Sequence, residues 1–193
     1  MNQHVTLVDI RARFPALAID LKYASADNIT GQPIYSEARC LLHPDAAAAL
    51  ERSLRIAQLA GLNLQVLDAY RPQQAQQLLW NACPNQDYVV PIALGSNHSR
   101  GTAIDVTLID ENGQPLDMGT AFDEMDDLSH PYHPAVPQAA QRNRLLLNAI
   151  MFGGGFVGIS SEWWHFELPQ AASYPLLADQ FTCFISPGTQ HVS

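Results

Sequence analysis

The sequence predicts an α+β fold: a small antiparallel sheet with flanking helices. Stretches with strand character alternate with three stretches of helical periodicity, so helices lie between groups of strands. AIDVTLID is followed by the turn ENGQ and by PLDMG, which predicts an antiparallel hairpin. Because the 193 residues contain no linker or internal repeat, we expect a single domain spanning 1–193.

The first half of the chain supplies two predicted strands and two predicted helices. LAIDLKYA alternates, with Ile19, Leu21 and Tyr23 on one face, as in a strand. The stretch 44–60 begins with Pro and Asp and is followed by Gly, which favours a helix. NLQVLDAY is the next strand, and RPQQAQQLLWNA is a helix with its proline at the start.

The second half continues with one long helix between two strands. AIDVTLID is the first strand, and PQAAQRNRLLLNAIMF is the helix, with Leu145, Leu146, Ala149 and Ile150 on one stripe. A run of three glycines, 153–155, is expected to end this helix. EWWHFEL is the last strand.

Composition limits the partners and the location. The formal net charge of -9 argues against nucleic acid or an anionic membrane surface as the main partner. No apolar run is long enough to span a bilayer, and three widely spaced cysteines do not form a disulfide framework. The N-terminus has no basic segment followed by an apolar one, so a cytoplasmic location is expected. A homo-oligomer is compatible with this composition.

The stretch SNHSRGTAIDV contains two candidate metal ligands, His98 and Asp105. Zinc favours imidazole nitrogen and carboxylate oxygen where thiolates are absent, and a catalytic zinc usually has three protein ligands. Gly101 permits a tight bend between the two side chains, and Ala103 adds no bulk on the Asp105 side of the strand. This spacing alone is equally compatible with a polar loop that runs into a strand.

SSEWWHFEL supplies a third candidate ligand and a candidate general base. Glu162 and His165 are three residues apart and would point to opposite sides of a regular strand. We therefore expect a bend near Glu162, with His165 on the strand as the third ligand. Glu162 would then lie beside the metal and take the proton of a metal-bound water.

Arg71 lies at a predicted strand-to-helix junction, where functional side chains are common. A permanent cation there would stabilise the oxyanion that develops in a hydrolytic transition state. Taken alone, Arg71 is better explained as a helix-start arginine that pairs with Asp68 or with solvent.

Together these motifs resemble a known enzyme family. The pattern S-x-H-x-x-G-x-A-x-D spans 96–105, E-x-W-H spans 162–165 and DAYRP spans 68–72. The combination resembles the zinc D-alanyl-D-alanine dipeptidases, which include the vancomycin-resistance type and cytoplasmic relatives in enteric bacteria. The likeness extends from DLKYASADN through DMGTAFDEM to GGGFVGISSEWWHFEL, and the chain best fits the enteric cytoplasmic form.

The resemblance implies one Zn²⁺ per chain, held by His98, Asp105 and His165, with Glu162 as base and Arg71 at the transition state. It implies a fold shared with lysostaphin-type peptidases and the hedgehog signalling domain. The implied substrate is a free D,D-dipeptide, D-alanyl-D-alanine, which is cleaved to two D-alanines.

The resemblance also implies the contacts to the substrate. Tyr23 and Asp123 map to residues that bind the substrate ammonium, Ser96 is a further candidate, and Glu124 leaves the choice of carboxylate open. A dipeptidase needs a small, closed pocket. A buried carboxylate beside the substrate amine would require a free N-terminus, because leaving that carboxylate unpaired is costly.

Two other functions remain compatible with the sequence. A D,D-carboxypeptidase acting on cell-wall peptides would need export and an open groove. A non-catalytic zinc-bearing binding module would not need Glu162 or Arg71 near the metal. His130 and His133 in SHPYHP are interpreted as part of a loop rather than as a second metal pair.

Overall fold

The computed structural model describes residues 5–184 and has mixed α and β structure, as predicted. The strands are β1 (Val8–Asp9), β2 (Ala18–Ile19), β3 (Leu41–Leu42), β4 (Asn63–Asp68), β5 (Ala103–Ile109), β6 (Val157–Gly158) and β7 (His165–Glu167). The helices are α1 (Ile10–Arg13), α2 (Pro44–Leu59), α3 (Gln73–Ala82) and α4 (Gln138–Gly154).

Five strands form the main sheet, in the order β2-β4-β5-β7-β6. Every neighbouring pair is antiparallel except β2–β4, which is parallel. β1 and β3 form a separate antiparallel pair. In the centre of the sheet Asp105 on β5 lies directly opposite His165 on β7, so the register brings two distant parts of the chain together.

Helices α2 and α4 pack against each other and contribute to the core together with β4 and β5. Their contact is close because Gly154 has no side chain. A Cβ at that position would lie 1.9 Å from Ser53 Oγ and 2.8 Å from the Ala49 carbonyl oxygen. Of the three consecutive glycines, Gly153 and Gly154 belong to the helix, and only Gly155, with a φ of 103°, ends it.

Three local predictions were wrong. LAIDLKYA forms a strand only at Ala18–Ile19, and Tyr23 lies in a 3-10 turn at Lys22–Ala24. PLDMG makes only an isolated bridge to the end of β5 instead of a second strand.

The predicted apolar stripe of α4 was the third. Of its four residues, Ile150 is buried and Leu146 is half-buried as expected, but Leu145 and Ala149 are exposed. Leu147 and Met151 are buried instead. The helix is therefore rotated from the predicted stripe, because a run of three leucines does not define which of them faces the core.

Within residues 5–184 there is no helix of the length and apolar character that crossing a bilayer would require.

Candidate metal centre and active site

A tight turn before β5 places the first two candidate ligands. His98 begins a 3-10 turn, His98–Arg100, which Gly101 ends with a φ of 72°. A Cβ on Gly101 would lie 3.0 Å from the backbone nitrogen of His43, so a larger residue would be both strained and crowded. The turn leads into β5, and His98 and Asp105 consequently face the same cavity.

Three ligand atoms converge at one point. Asp105 Oδ1 lies 3.3 Å from His98 Nε2 and 3.2 Å from His165 Nδ1, and the two nitrogens are 3.1 Å apart. A tetrahedral zinc ion with bonds of 2.0–2.1 Å has neighbouring ligand atoms about 3.3 Å apart. Asp105 Oδ1 is also buried without a hydrogen-bond partner. The donor set, the spacing and the unpartnered oxygen therefore fit a metal ion.

The opposite nitrogen of each imidazole has an acceptor. His98 Nδ1 lies 2.8 Å from the carbonyl oxygen of Ala69, and His165 Nε2 lies 2.9 Å from Glu167 Oε2. If these nitrogens carry the protons and donate, Nε2 of His98 and Nδ1 of His165 are left as lone-pair donors. Those two atoms are the ones that face Asp105, so the surrounding hydrogen bonds orient both rings for a shared ion.

Electrostatics keep the Asp105 carboxyl in its charged form. Burial by itself would raise its pKa, but His98 and His165 imidazoles that carry a second proton hold the pKa of Asp105 well below its usual range, and a bound cation would act in the same direction. A carboxyl that stays ionised is the form that binds a cation.

Glu162 lies between two bends just before β7, which begins at His165, and the sequence predicted a bend near this residue. Its Oε2 is 3.9 Å from His165 Nδ1. Burial raises the pKa of the Glu162 carboxyl to about 8, and the nearby Asp105 charge adds to this effect while His165 opposes it. A raised pKa makes the ionised carboxylate a stronger base than an ordinary glutamate, and a cation held by the neighbouring ligand cluster would favour that ionised form.

Arg71 makes the ion pair expected of an ordinary helix-start arginine and also faces the cavity. Its Nε and Nη2 lie 3.0 and 2.9 Å from Asp68 Oδ2, and its Nη1 donates to Gln76 Oε1 at 2.8 Å. Nη2 is also 3.7 Å from Asp105 Oδ2. The guanidinium group is thus fixed beside the ligand cluster, stacked 5.0 Å from the ring centroid of Tyr23.

Asp123 is held in an unusual backbone conformation that turns its side chain inward. Its φ is 61°, one of two positive values at non-glycine residues within the described part of the chain. Its carboxylate accepts hydrogen bonds from Tyr23 Oη at 2.8 Å and from the Ile29 backbone nitrogen at 3.1 Å. Burial raises the pKa of Asp123 to about 6. Glu124, the other candidate carboxylate, is exposed and accepts from the Ala121 backbone nitrogen.

One cavity of about 160 Å³ contains the whole set. This is smaller than the roughly 300–1,000 Å³ of pockets for drug-sized ligands, so it suits a very small molecule. Ser96, whose Oγ accepts from the backbone nitrogen of His98 at 3.2 Å, lines it as well. All eight residues singled out from the sequence line this cavity: Tyr23, Arg71, Ser96, His98, Asp105, Asp123, Glu162 and His165.

Among the other residues that line the cavity are three polar ones that sequence reasoning missed, Gln76, Asn97 and Glu167. For Glu167 a signal was present, because residues two apart on a strand share a face and His165 was already a candidate ligand. For Gln76 no signal existed, since its role depends on a contact with Arg71 that only the folded chain creates.

Comparisons with known proteins point to one family. Residues 3–187 match a family model described as D-ala-D-ala dipeptidase. The chain is 72% identical over 193 residues to the D-alanyl-D-alanine dipeptidase of Escherichia coli (strain K12), covering 100% of both chains. It is 35% identical over 170 residues to the D-alanyl-D-alanine dipeptidase of Enterococcus faecium, covering 77% of this chain and 84% of that one.

Family-wide similarity and a full-length relative therefore lead to the same assignment that the motifs suggested. The chain belongs to the D-Ala-D-Ala dipeptidase family.

Proposed function

We propose that this protein is a zinc-dependent dipeptidase that hydrolyses free D-alanyl-D-alanine to two molecules of D-alanine. The observation that carries the proposal is the convergence of three ligand atoms, a buried carboxylate base and a fixed guanidinium group in one small cavity. The family membership supports the same reaction.

His98, Asp105 and His165 would hold the zinc ion, and two nitrogens with one carboxylate oxygen are a donor set typical of catalytic zinc. When bound, zinc lowers the pKa of a coordinated water and polarises the scissile carbonyl group.

Glu162 would move the protons of the reaction. It takes a proton from the attacking water as the oxygen adds to the carbonyl carbon. It then passes that proton to the nitrogen of the leaving D-alanine as the C–N bond breaks. Its burial and its raised pKa of about 8 suit both halves of this transfer.

Arg71 would stabilise the negative charge that develops on the carbonyl oxygen. Its guanidinium group is buried and fixed by Asp68 and Gln76, so little reorganisation is needed when the charge appears. A binding module without catalysis would not need this arrangement, nor a carboxylate 3.9 Å from a ligand nitrogen.

Asp123 and Tyr23 would select substrates with a free amino terminus. The Asp123 carboxylate faces the cavity and can pair with a substrate ammonium group. An N-acylated peptide has no ammonium group and would leave the Asp123 carboxylate without a cationic partner. Ser96 is proposed as a further substrate contact because it lines the same cavity. A cytoplasmic location and a homo-oligomeric state stay predictions from the sequence.

The test is a D-alanine release assay on purified protein. We expect hydrolysis of D-Ala-D-Ala, loss of that activity with a chelator, and recovery when zinc is added back. N-acetyl-D-Ala-D-Ala should be cleaved far more slowly, because it lacks the ammonium group. Faster cleavage of an N-acylated tripeptide than of the free dipeptide would overturn the proposal in favour of a carboxypeptidase.

A further inference from the structure

We propose that Glu167 is a positioning residue that holds His165 in the orientation needed to bind zinc, and that Asn97 holds Glu167 in turn. This inference rests on the proposed function, because it concerns the same metal site. It extends the site beyond the three ligands, the base and the arginine.

The β5–β7 register creates the contact. Asp105 lies opposite His165, and Ala103 lies opposite Glu167 two residues further along. His165 and Glu167 therefore point to the same side of β7. Glu167 Oε2 is 2.9 Å from His165 Nε2, which lets this nitrogen donate and leaves Nδ1 for the metal.

Asn97 completes the arrangement from the other ligand segment. Its side-chain nitrogen donates to the same Oε2 of Glu167 at 3.0 Å. The backbone carbonyl oxygen of Asn97 accepts hydrogen bonds from the backbone nitrogen and from the hydroxyl group of Thr102, each at 3.1 Å. Because Asn97 directly precedes His98, one carboxylate oxygen joins the two segments that supply the histidine ligands.

The two histidines differ in what supports them. His98 Nδ1 lies within hydrogen-bond distance of a backbone carbonyl oxygen, that of Ala69, whose position the fold sets. The orientation of His165 depends on a side chain, that of Glu167. Substituting Glu167 can therefore disturb this orientation without altering a metal ligand. Partners of this kind typically contribute about 10- to 100-fold to metal affinity.

The experiment measures the zinc dissociation constant of metal-free, full-length protein by competition with a chromophoric chelator. Glu167→Ala is expected to bind zinc about 10- to 100-fold more weakly than wild type. Glu167→Gln should be intermediate, because its amide oxygen still accepts a hydrogen bond but carries no charge. Asn97→Ala should weaken binding less than Glu167→Ala. Glu111→Gln, an exposed substitution with the same charge change as Glu167→Gln, should bind as wild type does.

Separate outcomes test the inference and the function. If wild-type protein binds no zinc, the proposed function fails and this inference fails with it. If wild type binds zinc and both Glu167 variants bind it equally tightly, only the positioning role is overturned. Thermal unfolding of the metal-free proteins checks folding, and if Glu167→Ala unfolds, the comparison of Glu167→Gln with Glu111→Gln decides. In variants whose metal-free form is shown to be folded, excess zinc should restore much of the lost turnover.

Discussion

The carboxylate of Glu162 is buried close to two other acidic side chains, Asp105 and Asp123, and both raise its pKa further. We expect Glu162→Gln to lower kcat by about 10²- to 10⁴-fold, because the variant keeps the shape of the side chain but cannot accept a proton. D-alanine release at saturating dipeptide measures kcat, and metal analysis of the same samples should still find one zinc per chain.

Glu111→Gln is the matched control for this change, since it removes one exposed carboxylate outside the cavity. A Glu162→Gln enzyme with undiminished kcat would refute the role of this residue as the base.

The proposed ammonium-binding role of Asp123 predicts a pH limit for substrate binding. With a pKa of about 6, its carboxyl is charged above that pH and becomes neutral as the pH falls through it. The groups that act on it are the hydroxyl of Tyr23, the Ile29 amide, the Arg71 guanidinium and the Asp105 carboxylate. Protonation removes the partner of the substrate ammonium, so KM should rise below about pH 6.

Asp123→Asn isolates this effect, because asparagine also tolerates the φ of 61°. We expect kcat/KM at pH 7.5 to fall by about 10- to 100-fold, the equivalent of a hydrogen bond to a charged group worth about 1.5–3 kcal/mol. The rise of KM between pH 7 and 5 should then be smaller than in wild type. Identical KM profiles for the two proteins would contradict an ammonium-binding role.

At the residue scale, sequence reasoning located side chains whose chemistry is explicit in their type. Two imidazoles and a carboxylate at suggestive spacings predicted the ligand cluster. The supporting residues were not predictable in the same way. Asp68 was expected only as the partner of an unremarkable arginine, yet it fixes Arg71 beside the cavity and accepts a hydrogen bond from Tyr35 as well.

At the scale of elements, the turn at Gly101 connects backbone geometry to the metal site. Gly101→Ala adds a side chain in the left-handed region and against the backbone of His43. Gly61 offers a matched control, because its φ is 69° but a Cβ there would meet nothing within 4 Å. Both variants share the backbone strain, and only the first adds crowding.

We expect Gly101→Ala to lower the free energy of unfolding by about 1–3 kcal/mol more than Gly61→Ala does, the usual range for overpacking. Urea denaturation of both variants measures the difference. Only Gly101→Ala should also weaken zinc binding, since His98 is in the same turn. Equal losses of stability would show that the contact with His43 is unimportant.

Element prediction succeeded where a segment's own pattern was long enough. α2, α3, β4 and β5 begin and end within about two residues of the predicted bounds, within the usual uncertainty of helix and strand ends. The two-residue strands β2 and β6 depend on pairing with a neighbour, which no local pattern encodes. Tyr23 illustrates this limit: its alternating context predicted a strand, but the chain leaves the sheet after Ile19 and turns to bring Tyr23 to Asp123.

At the scale of the whole molecule, the metal site joins segments that are 67 residues apart, the separation of His98 and His165. An ion that binds the folded chain but not the unfolded one stabilises it by about 4 kcal/mol at a free concentration 1,000 times the dissociation constant. For a chain of this length that corresponds to a rise in Tm on the order of 10 °C.

Scanning calorimetry with excess zinc and with a chelator measures this shift. His98→Ala should unfold at nearly the same temperature under both conditions, whatever its own stability, because it lacks one of the three ligands. A shift in His98→Ala as large as that in wild type would place the stabilising ion elsewhere.

The main sheet ends at both sides in very short strands. β2 and β6, its outermost members, have two residues each. A long, flat border with many free amide and carbonyl groups is what another polypeptide needs in order to attach by extending a sheet. In the part of the chain that the structure describes, the outermost strands of the main sheet offer almost no such template, and the protein's surplus of negative charge makes copies repel one another. Crowded, highly expressed preparations should accordingly resist fibrous aggregation, and we expect any assembly of copies to use side-chain surfaces rather than backbone edges.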